Sequence, residues 1–529
     1  MKTPTSTFMP SRWRRIFCPL FFAAAAVAAV GAFASSRTVS RGGFPLSGAQ
    51  KIAPWVMEHT ANGQKAEFFV VLANQAELSQ AANLPNKAEK GRYVYNTLLD
   101  KGRGTQKPIL EWLRERGLEY RSFYIVNAVL VKGSREIAET LAARPDVARV
   151  EGNPLIHNKL PRPRAAVEAL QPQAPKTIEP GIAYTHAPDV WVLGFTGQGI
   201  VVGSLDSGVR WTHNALKPHY RGWDGTTADH DYNWHDAVHD SLGNPCGTDS
   251  PEPCDDEGHG SHTTGTMIGD DGAGNQIGMA PSARWIACRG LDGHLQTTTP
   301  AMLTECMEFF IAPYPIGGDS TQGDPAKAPD ITNNSWGCPP ELGCSVETLQ
   351  AAVEAQAAAG IMMVASAGND GPDCSTVEDP PGIYEAAYTV GALVTNTDMI
   401  DSDSSRGPVV VDASNRLKPD ITAPGTDIRS ASNKSDTAYE SEDGTSMAAP
   451  HIAGAMALLW SAKPAFRHDI ARSRDALSNR AFHILDAVCD GGPAVTPNNT
   501  YGYGRVDILV AVSPIPRPRP TPHPRPTPP

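Results

Sequence analysis

Between residues 200 and 392 the apolar positions come in short unbroken blocks rather than in alternation. Ile200-Val201-Val202-Gly203-Ser204-Leu205, Arg284-Trp285-Ile286-Ala287, Asp330-Ile331-Thr332-Asn333-Asn334, the run 361–367 and Tyr388-Thr389-Val390-Gly391-Ala392 each read as a strand covered on both faces. Helical spacing falls between or after them, at 300–311, at 346–359 and in a segment opening at Ser446. This alternation predicts a doubly wound, mostly parallel α/β sheet with helices on both faces. In such sheets functional groups gather beyond the carboxyl ends of the strands. Asp206 and the stretches after Thr332 and Ala367 occupy those ends.

The N-terminal part has a different rhythm. Ala66-Glu67-Phe68-Phe69-Val70-Val71-Leu72 reads as a strand, 93–117 has helical spacing, and 123–131 is a strand or hairpin arm. A short amphipathic helix over 135–143 and a strand over 147–151 complete a βαβ(β)αβ order. That order predicts a small α+β module of the split-βαβ, ferredoxin-like kind over 61–157. A linker precedes it at 35–60. A second, over 158–185 and rich in Pro, Ala and Gln, offers an exposed place for a protease to cut. Residues 186–512 hold the large sheet, and 513–529 form a polyproline-like tail carrying Arg517, Arg519 and Arg525.

Composition narrows the function classes. The formal net charge is −12, and no basic helix or stripe marks the central region, which argues against nucleic acid as a partner. Arg12, Arg14 and Arg15 precede an apolar run over 16–34 that ends in Ala32-Phe33-Ala34, the pattern of a secretory signal peptide cleaved after Ala34. The competing reading of this run is a membrane anchor. Of nine cysteines, Cys18 lies in that leader. The remaining eight are an even set in an exported chain and imply disulfides, with 246 to 254 and 338 to 344 short enough to close locally and the full pairing open.

The helix opening at Gly444-Thr445-Ser446-Met447-Ala448-Ala449-Pro450-His451 is apolar almost all round, and its small residues allow close backbone approach. A serine at such an N-terminus can be a plain cap or a nucleophile beside unpaired N–H groups. Three other motifs favour the nucleophile. Asp206 ends a buried strand in Ser204-Leu205-Asp206-Ser207-Gly208. His259 sits among small residues in Gly258-His259-Gly260-Ser261-His262, at an expected helix start, and Asn369 ends a strand in Ala365-Ser366-Ala367-Gly368-Asn369-Asp370-Gly371. A serine nucleophile needs a base, a carboxylate to hold that base, and donors for the oxyanion, and these residues supply them. The order Asp, His, Asn, Ser differs from the Ser, acid, His order of α/β-hydrolases. His230, His235 and His239 with Asp229, Asp231, Asp236 and Asp240 read as a solvated polar loop rather than a metal cluster.

These four motifs resemble those of the subtilisin-like serine peptidases, the subtilases, over residues 197–510. The likeness is greatest to the bacillopeptidase F-like group, through Tyr232-Asn233-Trp234-His235-Asp236-Ala237-Val238, Gln276-Ile277-Gly278-Met279-Ala280-Pro281, Asn333-Asn334-Ser335-Trp336-Gly337 and Tyr501-Gly502-Tyr503-Gly504. The resemblance implies a secreted endopeptidase made as an autoprocessed preproenzyme, a monomer acting on protein or peptide substrates. Ser446 would be the nucleophile, His259 the base, Asp206 its orienting acid, and Asn369 with the Ser446 N–H the oxyanion hole. His262 would be structural. It implies substrate binding along Ser335, Trp336, Gly337, Ala367 and Gly368 as a strand edge, with Cys338 standing where the family often has a second glycine. The N-terminal module would be an intramolecular inhibitor. No cofactor is implied for the chemistry, and structural calcium would draw on oxygen-rich loops such as 401–403. The rivals are a catalytically silent scaffold of the same fold and a serine esterase; the complete residue set disfavours the first, and the residue order and extended-substrate segment the second.

Overall fold

The computed structural model describes residues 48–157, 160, 177–347 and 349–514. The leader over 1–34, half of the 35–60 linker, most of the 158–185 linker, and all of the 513–529 tail beyond Pro514 lie outside the described residues.

The N-terminal module contains α1 (Pro54–His59), β1 (Ala66–Leu72), α2 (Lys87–Glu115), β2 (Tyr120–Phe123), β3 (Ala128–Gly133), α3 (Arg135–Ala142) and β4 (Val147–Gly152). Its antiparallel sheet has the order β2-β3-β1-β4. The block Phe68-Phe69-Val70-Val71-Leu72 is apolar throughout because both faces are covered. Phe68, Val70 and Leu72 join Ile109, Leu113 and Val129 in the module's own core, while Phe69 and Val71 turn to a core shared with Phe309 and Val353 of the larger unit. The expected arm over 123–131 is a hairpin, broken at Tyr124–Asn127, where Asn127 takes a positive φ of 37°. α2 starts six residues before the periodicity suggests. Asn86 caps it by accepting the Glu89 N–H at 3.0 Å, and its amide donates back to the Glu89 carboxylate at 3.0 Å. α1 falls within the stretch read as a linker and buries Val56 against the module.

A short β5 (Ile156–His157) leaves the module, and the chain resumes with α4 (Pro180–Tyr184) and α5 (Ala187–Val192). The large unit then runs β6 (Val201–Asp206), β7 (Trp234–Asp236), α6 (His259–Ile268), β8 (Arg284–Arg289), β9 (Thr297–Thr298), α7 (Pro300–Ile311), β10 (Ile331–Asn334), α8 (Gln350–Ala358), β11 (Met362–Ser366), β12 (Tyr388–Leu393) and β13 (Ile421–Pro424). After these come β14 (Ile428–Ala431), β15 (Tyr439–Glu442), α9 (Thr445–Ala462), α10 (Ile470–Ser478) and α11 (Ile508–Val512). Seven strands form one sheet in the order β13-β12-β11-β10-β6-β8-β7, every pair parallel. α9 is buried from Thr445 to Trp460 and packs with α6 on one face, while α7 and α8 cover the other and carry the N-terminal module. The doubly wound α/β expectation holds.

The stretch read as a solvated polar loop differs in part. Trp234–Asp236 is the edge strand β7, Asp236 is buried against the guanidinium of Arg289, and His235 and His239 both reach Glu305. A three-residue strand with charges on it carries no periodicity to reveal it.

The eight described cysteines pair as Cys246–Cys254, Cys288–Cys306, Cys338–Cys344 and Cys374–Cys489. Both short loops close locally as expected. Among the described residues no group of three or more His, Cys, Asp or Glu is placed to hold a metal ion, and no helix is long and apolar enough to cross a membrane.

Candidate active site

Asp206 ends β6 and His259 opens α6. Gly260 lets the helix start settle on the strand end, since a Cβ there would lie 2.0 Å from the Gly208 carbonyl oxygen. The result is a buried pair, with His259 Nδ1 at 2.7 Å from Asp206 Oδ1. Asp206 also accepts from the Ser207 N–H at 2.8 Å and from the Thr263 hydroxyl at 3.1 Å, which fixes the carboxylate plane. Burial opposes a charge on His259, but Asp206, with Glu442 and Glu257 behind it, outweighs burial and raises the imidazole pKa above its ordinary value. His259 Nε2 is buried and has no partner among the described residues. His262, one turn on, binds the Ile428 carbonyl oxygen through Nε2 at 2.8 Å, and burial with the neighbouring His259 pushes its pKa down to about 4. A neutral imidazole tied to backbone suits the structural part expected of it.

Ser446 is the second residue of α9. Its hydroxyl donates to the Ser335 carbonyl oxygen at 3.2 Å, and the Ser335 hydroxyl donates to the Ser446 carbonyl oxygen at 2.9 Å. Asn369 lies beyond the end of β11, where its Oδ1 accepts both the Thr445 N–H and the Thr445 hydroxyl at 2.9 Å. With Oδ1 taken, the amide nitrogen is the end left for a ligand. The Ser446 N–H has no acceptor among the described residues, as expected for the first turn of a helix.

Ser446 borders a cavity of about 360 Å³ whose lining includes Ser335, Trp336, Gly337, Gly368 and Asn369. Ala367, expected on this surface, instead lies behind it, 3% exposed, with its N–H on the Val390 carbonyl oxygen of β12. Two features escaped the sequence. β9 pairs antiparallel with β5, Ile156 opposite Thr298 and His157 opposite Thr297, and His157 and Leu160 then line the same cavity as Ser446. Glu442, at the end of β15, is a buried carboxylate whose charge bears on His259; burial pushes its own pKa up to about 8, and its Oε2 has no partner among the described residues.

The Peptidase_S8 model of the subtilase family matches residues 197–504, more than half of the chain. The chain belongs to the subtilase family. Among similar subtilases, Bacillopeptidase F of Bacillus subtilis (strain 168) is 34% identical over 474 residues, covering 86% of this chain and 30% of that protein. Serine protease AprX of the same strain is 30% identical over 352 residues, covering 61% of this chain and 69% of its own length. Subtilisin DY of Bacillus licheniformis is 29% identical over 313 residues, covering 59% of this chain and 94% of its own. The chain thus spans under a third of the length of the Bacillopeptidase F relative. Family membership agrees with the parallel sheet and with the order of the four motifs.

Proposed function

We infer that this subtilase is a serine endopeptidase that hydrolyses peptide bonds through an acyl-enzyme. The observation that supports it is the buried His259–Asp206 pair at 2.7 Å, with Nε2 unpartnered among the described residues, at the start of α6, which packs against α9, whose first turn carries Ser446. Ser446 attacks the scissile carbonyl carbon while His259 takes the hydroxyl proton on Nε2 and later gives it to the leaving amine. Asp206 holds the tautomer and stabilises the imidazolium. The Asn369 amide and the Ser446 N–H receive the oxyanion, helped by the positive end of α9. The proposed chemistry draws on these side chains and on the backbone N–H groups that open α9.

The domain reading is a signal peptide over 1–34, a linker over 35–60, an inhibitory propeptide over 61–157, a processed linker over 158–185, the peptidase over 186–512 and a Pro-rich tail over 513–529. Support for the inhibitory role comes from β5, which joins β9 as an added strand before His157 and Leu160 enter the cavity. A segment lying in the cleft as substrate would lie blocks other substrates and is itself exposed to the nucleophile. Secretion is supported by the leader pattern and by four disulfides, which persist in oxidising compartments.

The test is to express the full chain with and without Ser446→Ala and to follow casein cleavage and loss of the N-terminal module. The native chain should cut and shorten, and the variant should do neither. A variant that still matures and cuts removes Ser446 from the role of nucleophile.

A further inference from the structure

Pro450 stands four residues after Ser446, inside α9. In an uninterrupted helix the N–H at that position donates to the Ser446 carbonyl, but proline has no N–H and its ring crowds the carbonyl four residues back. The Ser446 carbonyl therefore needs a donor from outside the helix. Ser335 supplies it: its buried hydroxyl donates to the Ser446 carbonyl oxygen at 2.9 Å.

The Ser335 hydroxyl has one proton, and a carbonyl oxygen can only accept it. Any further group on that hydroxyl must then be a donor. The group there is the side-chain amide of Asn333, two residues back on β10, whose Nδ2 donates to Ser335 Oγ at 2.9 Å. Asn333 is fully buried. Its neighbours across the sheet are Ser204 on β6 and Val364 on β11, and Ile331 and Val364 pack in the apolar layer that holds α9. Alternation along β10 puts Asn333 on the face of Ile331, between the sheet and the helix that carries Ser446. For packing alone, an amide suits that place poorly. Asn333 Oδ1 has no partner among the described residues, and neither has the Ser204 hydroxyl opposite it. Buried atoms of this kind cost stability, so an apolar side chain of similar size would sit there at less cost. What the amide does and a leucine cannot is to fix the direction of the Ser335 proton.

We propose that Asn333 is a positioning residue for peptide hydrolysis, acting through the Ser335 hydroxyl on the Ser446 peptide group that Pro450 leaves without its helix donor. The proposal rests on the peptidase reading above. Asn333 touches neither the Ser446 hydroxyl nor the Asp206–His259 pair, which is held by its own bonds on β6 and α6. Its influence runs from β10 through two hydrogen bonds to the first turn of α9, and so to where the Ser446 hydroxyl and N–H stand relative to a bound carbonyl. Placement of that kind acts on the reacting step and not on the binding of an extended peptide.

The test uses the enzyme matured from the full chain, its active sites counted by fluorophosphonate labelling, and the probe succinyl-Ala-Ala-Pro-Phe-p-nitroanilide. Asn333→Leu should lower kcat on the order of tenfold to a hundredfold, the range that a small misplacement of a reacting group costs, with KM nearly unchanged. Its thermal midpoint should hold or rise, because a buried amide with an unpaired oxygen has been replaced by an apolar group. Ser335→Ala, which keeps the carbonyl that a peptide would pair with, should lose kcat to a similar extent. The double variant should lose no more than Ser335→Ala alone, since both changes break one chain of bonds. Unchanged kcat in Asn333→Leu, a loss carried by KM, or losses that multiply in the double variant would each overturn the positioning role while the peptidase reading stands. If the native chain cuts no peptide and the fluorophosphonate fails to label Ser446, the peptidase reading falls and this proposal with it. Should Asn333→Leu fail to fold, Asn333→Ala, which only removes atoms, takes its place in the same kcat cycle and decides by the same outcomes.

Discussion

The hydroxyl of Ser446 donates to the carbonyl oxygen of Ser335 at 3.2 Å and not to His259, whose Nε2 stays buried without a partner among the described residues. Ser335 opens the segment along which an extended peptide would pair as a strand, and pairing needs backbone acceptors of that kind. On the proposed mechanism, a substrate that took this carbonyl for its own N–H would remove the partner of Ser446 and leave His259 Nε2 as the acceptor. Binding along the cleft would thereby prepare the nucleophile.

Longer substrates should accordingly gain in kcat and not only in KM, because remote contacts are used at the reacting centre. A tetrapeptide anilide should exceed the matching single-residue anilide by on the order of a hundredfold in kcat, as effective positioning commonly yields. Steady-state kinetics on the pair checks this. Equal kcat values would separate strand pairing from activation of Ser446.

The pH profile carries a second signature. His259 must be neutral to act as base, and its pKa is raised above the ordinary 6.5, burial being outweighed by Asp206, Glu442 and Glu257. Activity should therefore rise along an acid limb lying above pH 6.5. Glu442 carries its charge only above its own pKa of about 8, so Glu442→Gln should move to lower pH the part of the limb that lies above pH 8 and leave the part below it in place. Measuring kcat/KM from pH 5 to 10 for both forms tests it, and an upper part that stays or moves upward refutes the influence of Glu442.

Asn369 links chemistry to stability. Its Oδ1 accepts two bonds from Thr445, which both starts α9 and turns the amide nitrogen outward. Asn369→Ala should lower kcat on the order of 10²–10³ with little change in KM, as loss of an oxyanion donor does. The same change should cost about 1 kcal/mol of stability, because the Thr445 N–H loses its acceptor. Kinetics and thermal unfolding on one variant read the two effects separately.

How much of this was legible in the sequence depends on the length scale of each signal. Asp206, His259, Asn369 and Ser446 stand out because each follows a buried block or opens a helix among small residues, and both patterns survive without contacts. Thr297–Thr298 did not, since two residues have no periodicity and their strand character comes from pairing with β5, more than a hundred residues away. Glu442 looks like any charged residue in the acidic stretch Glu440-Ser441-Glu442-Asp443 until the fold brings β15 to His259. Gln106, in the middle of α2, is buried only because the Phe123 carbonyl and Asn127 side chain accept from it at 2.8 and 3.0 Å. The burial of Ala367, whose N–H is held by the Val390 carbonyl oxygen of β12, was likewise not legible, because it depends on the neighbouring strand.

The docking of the N-terminal module on α7 should itself depend on pH. Glu308 accepts the Tyr124 N–H at 2.8 Å and the Ile125 N–H at 3.1 Å on one carboxylate oxygen, at the hairpin turn of the module. Burial pushes its pKa up to about 7, against those donors and Ser320, with neighbouring Glu305 adding to the rise. With the module released, Glu308 regains water and the usual carboxylate range near 4.5. The docked state therefore binds the proton more tightly. Its contribution is complete below about pH 4.5 and is lost as pH rises through about 7, at most about 3 kcal/mol by linkage. Limited proteolysis of residues 48–157 in the Ser446→Ala chain, from pH 5 to 9, should show the module becoming more susceptible above pH 7. Glu308→Gln, which cannot ionise, should flatten that dependence, and susceptibility that falls with rising pH would falsify the assignment.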